Sequence, residues 1–249
     1  MDIKTFILPL TLIVLFVYET AAPFYHFNVN RFRHGIVNIG AGFLSFLLAT
    51  VFFYYLVMSA LAIDKGFSSL IPSDVFKLIF AVILFDLWMY IWHRMNHEIS
   101  FFWRFHKAHH SDTAMDVTTG LRFHPVELIL STGIRLPIYM LLGINVYIIA
   151  IYEILSGVVI FFHHSNISLK QKLDDVLSFV IPTPRMHRVH HSHFVKETNS
   201  NYGTLFSFWD RIFGTFNSRS DIENIKIGLE NYRTDYDQTF TGFLKTPFN

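Results

Sequence analysis

Four apolar runs fill most of residues 6–162 and limit what this chain can fold into. Phe6–Tyr18 is the core of the first, which runs on towards Pro23. Ile36–Ile63 is the second and longest, Val75–Trp92 the third and Val126–Phe162 the fourth. A helix needs about 20 apolar residues to cross the hydrocarbon of a bilayer. The fourth run is long enough to cross twice, and its interruption at Leu142-Gly143-Ile144-Asn145 predicts a hairpin turning at 143–145. Only 16% of residues are charged, against about 25% in a soluble domain, and the mean hydropathy is +0.37. The expected fold class is all-α. It is an integral membrane helical bundle of about three spans plus a helical hairpin, carrying a cytosolic, histidine-rich helical cap.

The 249 residues are expected to form a single membrane-embedded domain. Within it, 1–75 would hold the N-terminal spans, 76–216 the region that carries the histidine clusters and 217–249 a polar C-terminal tail or cover. Val176–Ile181 and Tyr202–Phe216 have apolar faces suited to the membrane interface. A net charge of +1 implies no attraction to nucleic acid. The absence of cysteine excludes disulfides, thiolate zinc sites, iron–sulfur clusters and Cys-ligated haem.

Twelve of the fourteen histidines lie in 93–124 and 163–193. His93-Arg-Met-Asn-His97 is one cluster, His106-Lys-Ala-His109-His110 a second, and His187-Arg-Val-His190-His191 repeats the second's spacing. Helical residues three and four apart share a face, so each cluster aims two or three imidazoles at one point. Imidazole suits Zn, Fe, Cu and Ni. These eight imidazoles exceed what one tetrahedral ion takes, so two metals are expected. No glutamate stands between His93 and His97, unlike the His-Glu-x-x-His of zinc proteases. No Glu-x-x-His of the carboxylate-bridged di-iron bundles occurs either.

The outlying residues are read as follows. Asp86 lies seven residues before His93, on its face and two turns deeper. It could accept the second N–H of a ligating imidazole or join two helices, and Glu98 could be a second such acceptor or an exposed charge. His124 is open between ligand, hydrogen-bond donor to a ligand, and helix cap. Adjacent residues point apart on a helix, so at most one of His163 and His164 joins the metals. His193 is the weakest candidate, and His26 and His34 are read as loop residues. Phe101, Phe102, Trp103 and Phe105 are either interface anchors or part of a lipid route.

The clusters must meet, so both lie on one side of the membrane, and the hairpin leaves that side and returns to it. The 24–35 loop, with Arg31 and Arg33, shares that side. The opposite loop, 64–74, carries Asp64, Lys65 and Asp74. The positive-inside rule then puts the clusters in the cytoplasm. Residues 1–22 also have a competing reading as a signal peptide: Lys4 against Asp2 makes a weak charged region, and Thr20-Ala21-Ala22 a plausible cleavage region.

The order His-x3-His, His-x2-His-His, a lone His, then His-x2-His-His resembles the membrane fatty acid hydroxylase and sterol desaturase superfamily. Asp86-Leu-Trp-Met-Tyr-Ile-Trp-His93-Arg-Met-Asn-His97 resembles its first box, and Trp103-Arg-Phe-His106-Lys-Ala-His109-His110-Ser111 its second. Thr118-Thr-Gly-Leu-Arg122-Phe-His124-Pro125 and His164-Ser-Asn166 resemble the segments between. Pro184-Arg-Met-His187-Arg-Val-His190-His191, Asn201-Tyr202-Gly203 and Trp209-Asp210-Arg211-Ile-Phe-Gly214-Thr215 resemble the last box and its tail. The resemblance implies a membrane di-iron oxygenase that uses O2 and two electrons to hydroxylate or desaturate a lipid C–H position. Carried onto this chain, its metal ligands would be His93, His97, His106, His109, His110, His164, His187, His190 and His191, with His124 as a tenth or behind a ligand. Two iron ions are then the expected cofactors, with zinc able to substitute in purified protein. The expected partners are a lipid substrate and an external electron donor of cytochrome b5, ferredoxin or reductase type.

The competing function is a membrane metal-ion transporter or metal-binding protein. A bis-His haem protein is a third. Transport predicts ionisable residues spread through several spans, whereas these clusters sit at span ends. Haem takes one or two axial histidines and leaves the repeated triples unexplained.

Overall fold

The computed structural model describes residues 4–63 and 65–249. Asp2 and Asp64, whose charges entered the reading of the first segment and of the 64–74 loop, lie outside them, as does the Lys4 side chain. The described chain is helical, with one isolated bridge between Ser192 and Ile227 in place of any strand. Its first six helices are α1 (Lys4–Ala21), α2 (Arg31–Leu61), α3 (Asp74–Glu98), α4 (Ser100–His110), α5 (Pro125–Leu142) and α6 (Val146–His164). Helices α2, α3, α5 and α6 are long and apolar enough to cross a membrane, and α1 adds the shorter apolar stretch Phe6–Ala21.

Helix α2 is inside-out by the standards of a water-soluble protein. Phe43, Val51 and Tyr55 are 68%, 71% and 82% exposed, while Gly35, Asn38, Ala41, Ser45 and Ala49 are buried. Small inward residues let helices approach closely where lipid removes the hydrophobic drive between them. The hairpin turns where its sequence says. Gly143 ends α5 in the left-handed region at φ 67, which glycine adopts without steric cost. The Asn145 carboxamide then caps α6 by accepting from the Tyr147 and Ile148 N–H groups. Ser68 Oγ donates to Gly143 O at 3.0 Å, so the 62–73 connection and the hairpin turn share the face opposite the histidines.

Helix α2 starts earlier than the apolar run suggests, and this corrects the reading of His34 as a loop residue. The run begins at Ile36, but Asn30 Oδ1 accepts from Arg33 N at 3.0 Å and sets the start at Arg31. His34 therefore lies in the first turn, bonded to Asp112 at 2.9 Å. Exposed His26 remains in the loop. Helix α1 packs along α6. Its buried Glu19 accepts from Asn166 N at 2.7 Å and Val117 N at 3.1 Å and pairs with Arg31. Cleavage at 20–22 would remove the carboxylate that ties these three segments together.

Residues after 164 form a cap of short helices, including α7 (Gln171–Leu177) and α8 (Pro184–His190). Val176, Phe179 and Val180 at the end of α7 turn apolar side chains outward. The 217–249 segment is not uniformly polar in its packing. Ile222, Ile225 and Ile227 form a small core with Met115 and Val189, and fully buried Phe243 packs on Ala41 and Ala108.

Candidate metal centre

The histidines arrive on four helix ends. His93 and His97 leave the end of α3, and a break at Ile99 redirects the chain into α4, which carries His106, His109 and His110. His163 and His164 end α6. His187 and His190 lie on α8, with His191 as its C-cap. Thr183 caps α8 by accepting from Met186 N, and Pro184 opens its first turn.

These ends bring nine imidazoles into two adjacent groups. His93, His97, His106, His110 and His190 form the first, and His109, His164, His187 and His191 the second. Within each group the candidate ligand atoms all lie within 4.8 Å of one another. The groups touch where His110 stacks on His191, with ring centroids 4.4 Å apart. All nine histidines named by the family resemblance are in these groups. His163 is buried, its ring 4.0 Å from that of His187, but it is in neither group. His193 sits at the cap surface against Lys226 O and Glu230.

Hydrogen bonding fixes which nitrogen is free. Nδ1–H of His93, His164 and His190 donates to the Tyr202, Ile160 and Ser200 carbonyls at 2.9, 2.8 and 2.6 Å. His106 Nδ1 meets Glu127 Oε1 at 2.7 Å. Each bond leaves an Nε2 lone pair aimed into the cluster, the usual arrangement of a metal-ligating imidazole. Outside the spans, burial and then the neighbouring imidazoles pull His109, His110, His187 and His191 well below the ordinary pKa. Burial brings His190 down to about 3. The rings are therefore neutral and their lone pairs available.

A buried polar atom without a partner costs about 1–3 kcal/mol, and this cluster holds many. Both ring nitrogens of His97, His110 and His191 are buried and unpartnered, as are Nε2 of His93, His106 and His190. In the second group His164 Nε2 faces His109 Nε2 at 3.3 Å and His187 Nε2 at 3.0 Å. Ligands on one ion with bonds of about 2.1 Å sit ~3.0–3.4 Å apart at octahedral to tetrahedral angles. The donor set fits two metal ions of the kind imidazole prefers, and no carboxylate belongs to either group.

For Asp86 and Glu98 the structure takes the second of the two readings open to each, a bond between helices and an exposed charge. Asp86 does not back a histidine. Its oxygens accept from Tyr152 Oη (2.7 Å), Leu205 N (3.1 Å), Phe206 N (3.1 Å) and Trp209 Nε1 (2.9 Å), which uses its acceptor capacity. Seven residues of helix also place it ~10 Å below His93. Glu98 is exposed and pairs with Arg94 at 2.7 Å. His124 caps α5, with Nδ1 accepting from Val126 N at 3.3 Å and its ring stacked on Phe105. The carboxylate the sequence reading missed is Glu127, buried in the first turn of α5. An acid there reads as a helix-dipole residue, and nothing local shows that it reaches His106. Glu127→Gln should weaken metal retention about 10–100-fold, as read by competition with a chelator. Unchanged retention would mean that Glu127 does not orient His106.

Two further devices hold the rings. Asp210 accepts from Tyr202 N, Gly203 N and Thr215 Oγ1 at 2.7–2.9 Å, fixing the carbonyl on which His93 rests. A side chain at Gly203 would press within 2.6 Å of Phe206 O. Behind α4, Asp112 accepts from His34, Asn38, Thr119 and Ala114 N. Burial pushes its carboxyl up, but the facing His34 and Arg122 outweigh this and hold it below the usual range. The fully buried Arg122 donates to Ala108 O and Asn38 Oδ1, so α4 and its three histidines are clamped to α2.

A cavity of about 220 Å³ runs from His93, His106, His109, His163, His164 and His187 down between α3, α5 and α6. Met89, Trp92, Phe123, Leu128 and Ile160 give it apolar walls. None of Phe101, Phe102, Trp103 or Phe105 is among its lining residues. Phe102 packs on Trp92, Trp103 lies against His97 and His110, and Phe101 is exposed.

A sequence model of the fatty acid hydroxylase family matches residues 78–215. The chain belongs to that family. Among similar proteins, ornithine lipid hydroxylase OlsE of Rhizobium tropici is 29% identical over 155 residues, covering 62% of this chain and 46% of that one. Human alkylglycerol monooxygenase is 29% identical over 146 residues, covering 58% and 31%. Human cholesterol 25-hydroxylase is 26% identical over 155 residues, covering 57% and 52%. The matches thus span from about a third to about half the length of these relatives. No solved structure matches the chain. The matched region runs from within α3 to Thr215 and contains all nine clustered histidines.

Proposed function

We propose that this chain is an O2-dependent oxygenase that hydroxylates or desaturates a C–H position of a membrane lipid, with two iron ions held by the nine histidines. The observation that carries this reading is the pairing of two carboxylate-free imidazole groups with a cavity that descends among membrane helices. The names of the relatives, which describe hydroxylases and monooxygenases of lipids, support it. Breaking an unactivated C–H bond needs an oxidant that amino acids do not provide, and bound iron with O2 would supply it. The chain's own work is binding, orientation and exclusion of water. The carbonyls of Tyr202, Ser200 and Ile160 and the Glu127 carboxylate keep four imidazoles in one tautomer. Met89, Trp92, Phe123, Leu128 and Ile160 present an apolar slot to the lipid and keep it dry. Electrons would come from a separate donor of cytochrome b5, ferredoxin or reductase type.

The test is a lipid comparison between cells with and without the chain. A lipid differing by one oxygen or by two hydrogens, formed only with O2 present, is expected. No such lipid, together with iron-free purified protein, would sink the reading.

The histidine face is proposed to be cytoplasmic, on the strength of Arg31 and Arg33 in the first turn of α2, at the end of the helix on that side. The chain has no cysteine, so single cysteines report cleanly. In intact cells an impermeant thiol reagent should label Phe67→Cys and spare Lys226→Cys. The reverse pattern would invert the topology.

A further inference from the structure

Beyond Glu127 at its entry, the hairpin that walls the cavity carries two charged residues deeper within its spans. Arg135 is near the middle of α5, and Glu153 lies on α6. Charges at such depth are costly and mark functional paths or pairs. Here the pairing is partial. Arg135 Nη1 meets Glu153 Oε1 at 3.2 Å and the guanidinium also faces the Tyr139 hydroxyl, while Nε is buried without a partner. Half of the Glu153 side chain is uncovered by protein.

Arg135 and Glu153 line the cavity beneath the histidines. They also line a larger one, of about 610 Å³, between α1, α2, α5 and α6. The two cavities share Phe123, Leu128 and Ile160 as walls. The ion pair thus stands at their junction, with hydrocarbon-like surface on both sides. Helix rise puts Arg135 ~12 Å along α5 from Glu127 and Glu153 ~15 Å along α6 from His163.

We propose that Arg135 and Glu153 form a binding site for a neutral hydroxyl group of the lipid, which sets the reacting carbon about 12–15 Å away at the histidines. A hydroxyl donates and accepts at once. It can accept from the uncovered edge of the Arg135 guanidinium and donate to the half-uncovered Glu153 carboxylate. A carboxylate or phosphate would be opposed by Glu153, and a bare hydrocarbon would leave the uncovered Glu153 carboxylate without a donor. The substrate class is therefore a monohydroxy lipid with a long apolar body. This rests on the oxygenase reading and names the substrate class of that site.

The test is competition for photolabelling of the purified full chain by a diazirine-bearing hexadecanol. The competitors are hexadecanol, its methyl ether and palmitate, with cholesterol and its methyl ether as a second pair. One free alcohol should compete at least about tenfold better than its ether, and better than palmitate. The variant R135M/E153M should lose that preference while the ether competes as before, with iron content reporting an intact fold. Should that variant lose its iron, the E153Q variant and the wild-type ranking still decide. Equal competition by alcohol and ether in both pairs overturns the proposal, as does a winning palmitate or a preference that survives the substitutions. Binding needs no turnover. Failure here leaves the oxygenase reading standing, and absence of product with an intact alcohol preference overturns only that reading.

Discussion

Alanine at His110 is expected to abolish the lipid product and to release metal from the five-histidine group. Both ring nitrogens of His110 are buried without a hydrogen-bond partner, and its ring stacks on His191 of the neighbouring group. As proposed, it would serve both halves of the centre, as a donor to one and a wall of the other. Loss of a residue that merely orients a ligand costs about 10–100-fold in metal affinity or activity, so loss of the ligand should exceed about 100-fold. His193→Ala, at the surface of the cap, is the control and should leave product within about twofold, as for surface changes generally. Elemental analysis and product yield on the same preparations would decide. Product within a few fold of wild type in His110→Ala would contradict the ligand assignment.

Asp86→Ala should destabilise the protein more than any single change on the lipid-facing surface. Four donors converge on this carboxylate: Tyr152 Oη, Trp209 Nε1 and the N–H groups of Leu205 and Phe206. Removing the acceptor leaves them buried, at about 1–3 kcal/mol each where no water replaces it. The 205–209 segment would detach from α3, and with it the Tyr202 carbonyl that orients His93. A lowered melting temperature in detergent and new proteolytic cleavage between residues 200 and 216 are expected. Asp86→Asn keeps the shape but turns an amide N–H₂ towards donors, so it should be milder in volume and similar in kind. An unchanged melting temperature for Asp86→Ala would show that the segment is held elsewhere.

Local spacing made eight of the nine clustered histidines legible, because each cluster lies within one helix end and repeats a three- or four-residue period; His164 has no such partner and was legible only through the family resemblance. The hairpin turn was legible for the same reason, since Gly143 and Asn145 are the residues such a turn needs. Contacts distant in sequence were not legible. Glu127 reaches His106 across 21 positions, and Asp86 is spent on residues more than 100 positions away. Helical periodicity correctly put Asp86 on the His93 face, but a shared face two turns apart is not a contact. His34 was misplaced because hydrophobic patterning starts at Ile36, whereas the Asn30 cap starts the helix. Arg135 and Glu153 lie in a stretch dominated by its apolar residues, and only the side-chain contact between α5 and α6 shows that the two charges meet.

The central claim is that the histidine centre directs O2 onto a membrane lipid. Its most direct test is to supply isotopically heavy O2 to membranes containing the iron-loaded chain and an electron donor, and then to weigh the lipids. The account predicts one lipid that gains a single heavy oxygen, or loses two hydrogens strictly in the presence of O2, and no such lipid with His110→Ala. Product oxygen drawn from water, or the same lipid change with His110→Ala, would contradict it.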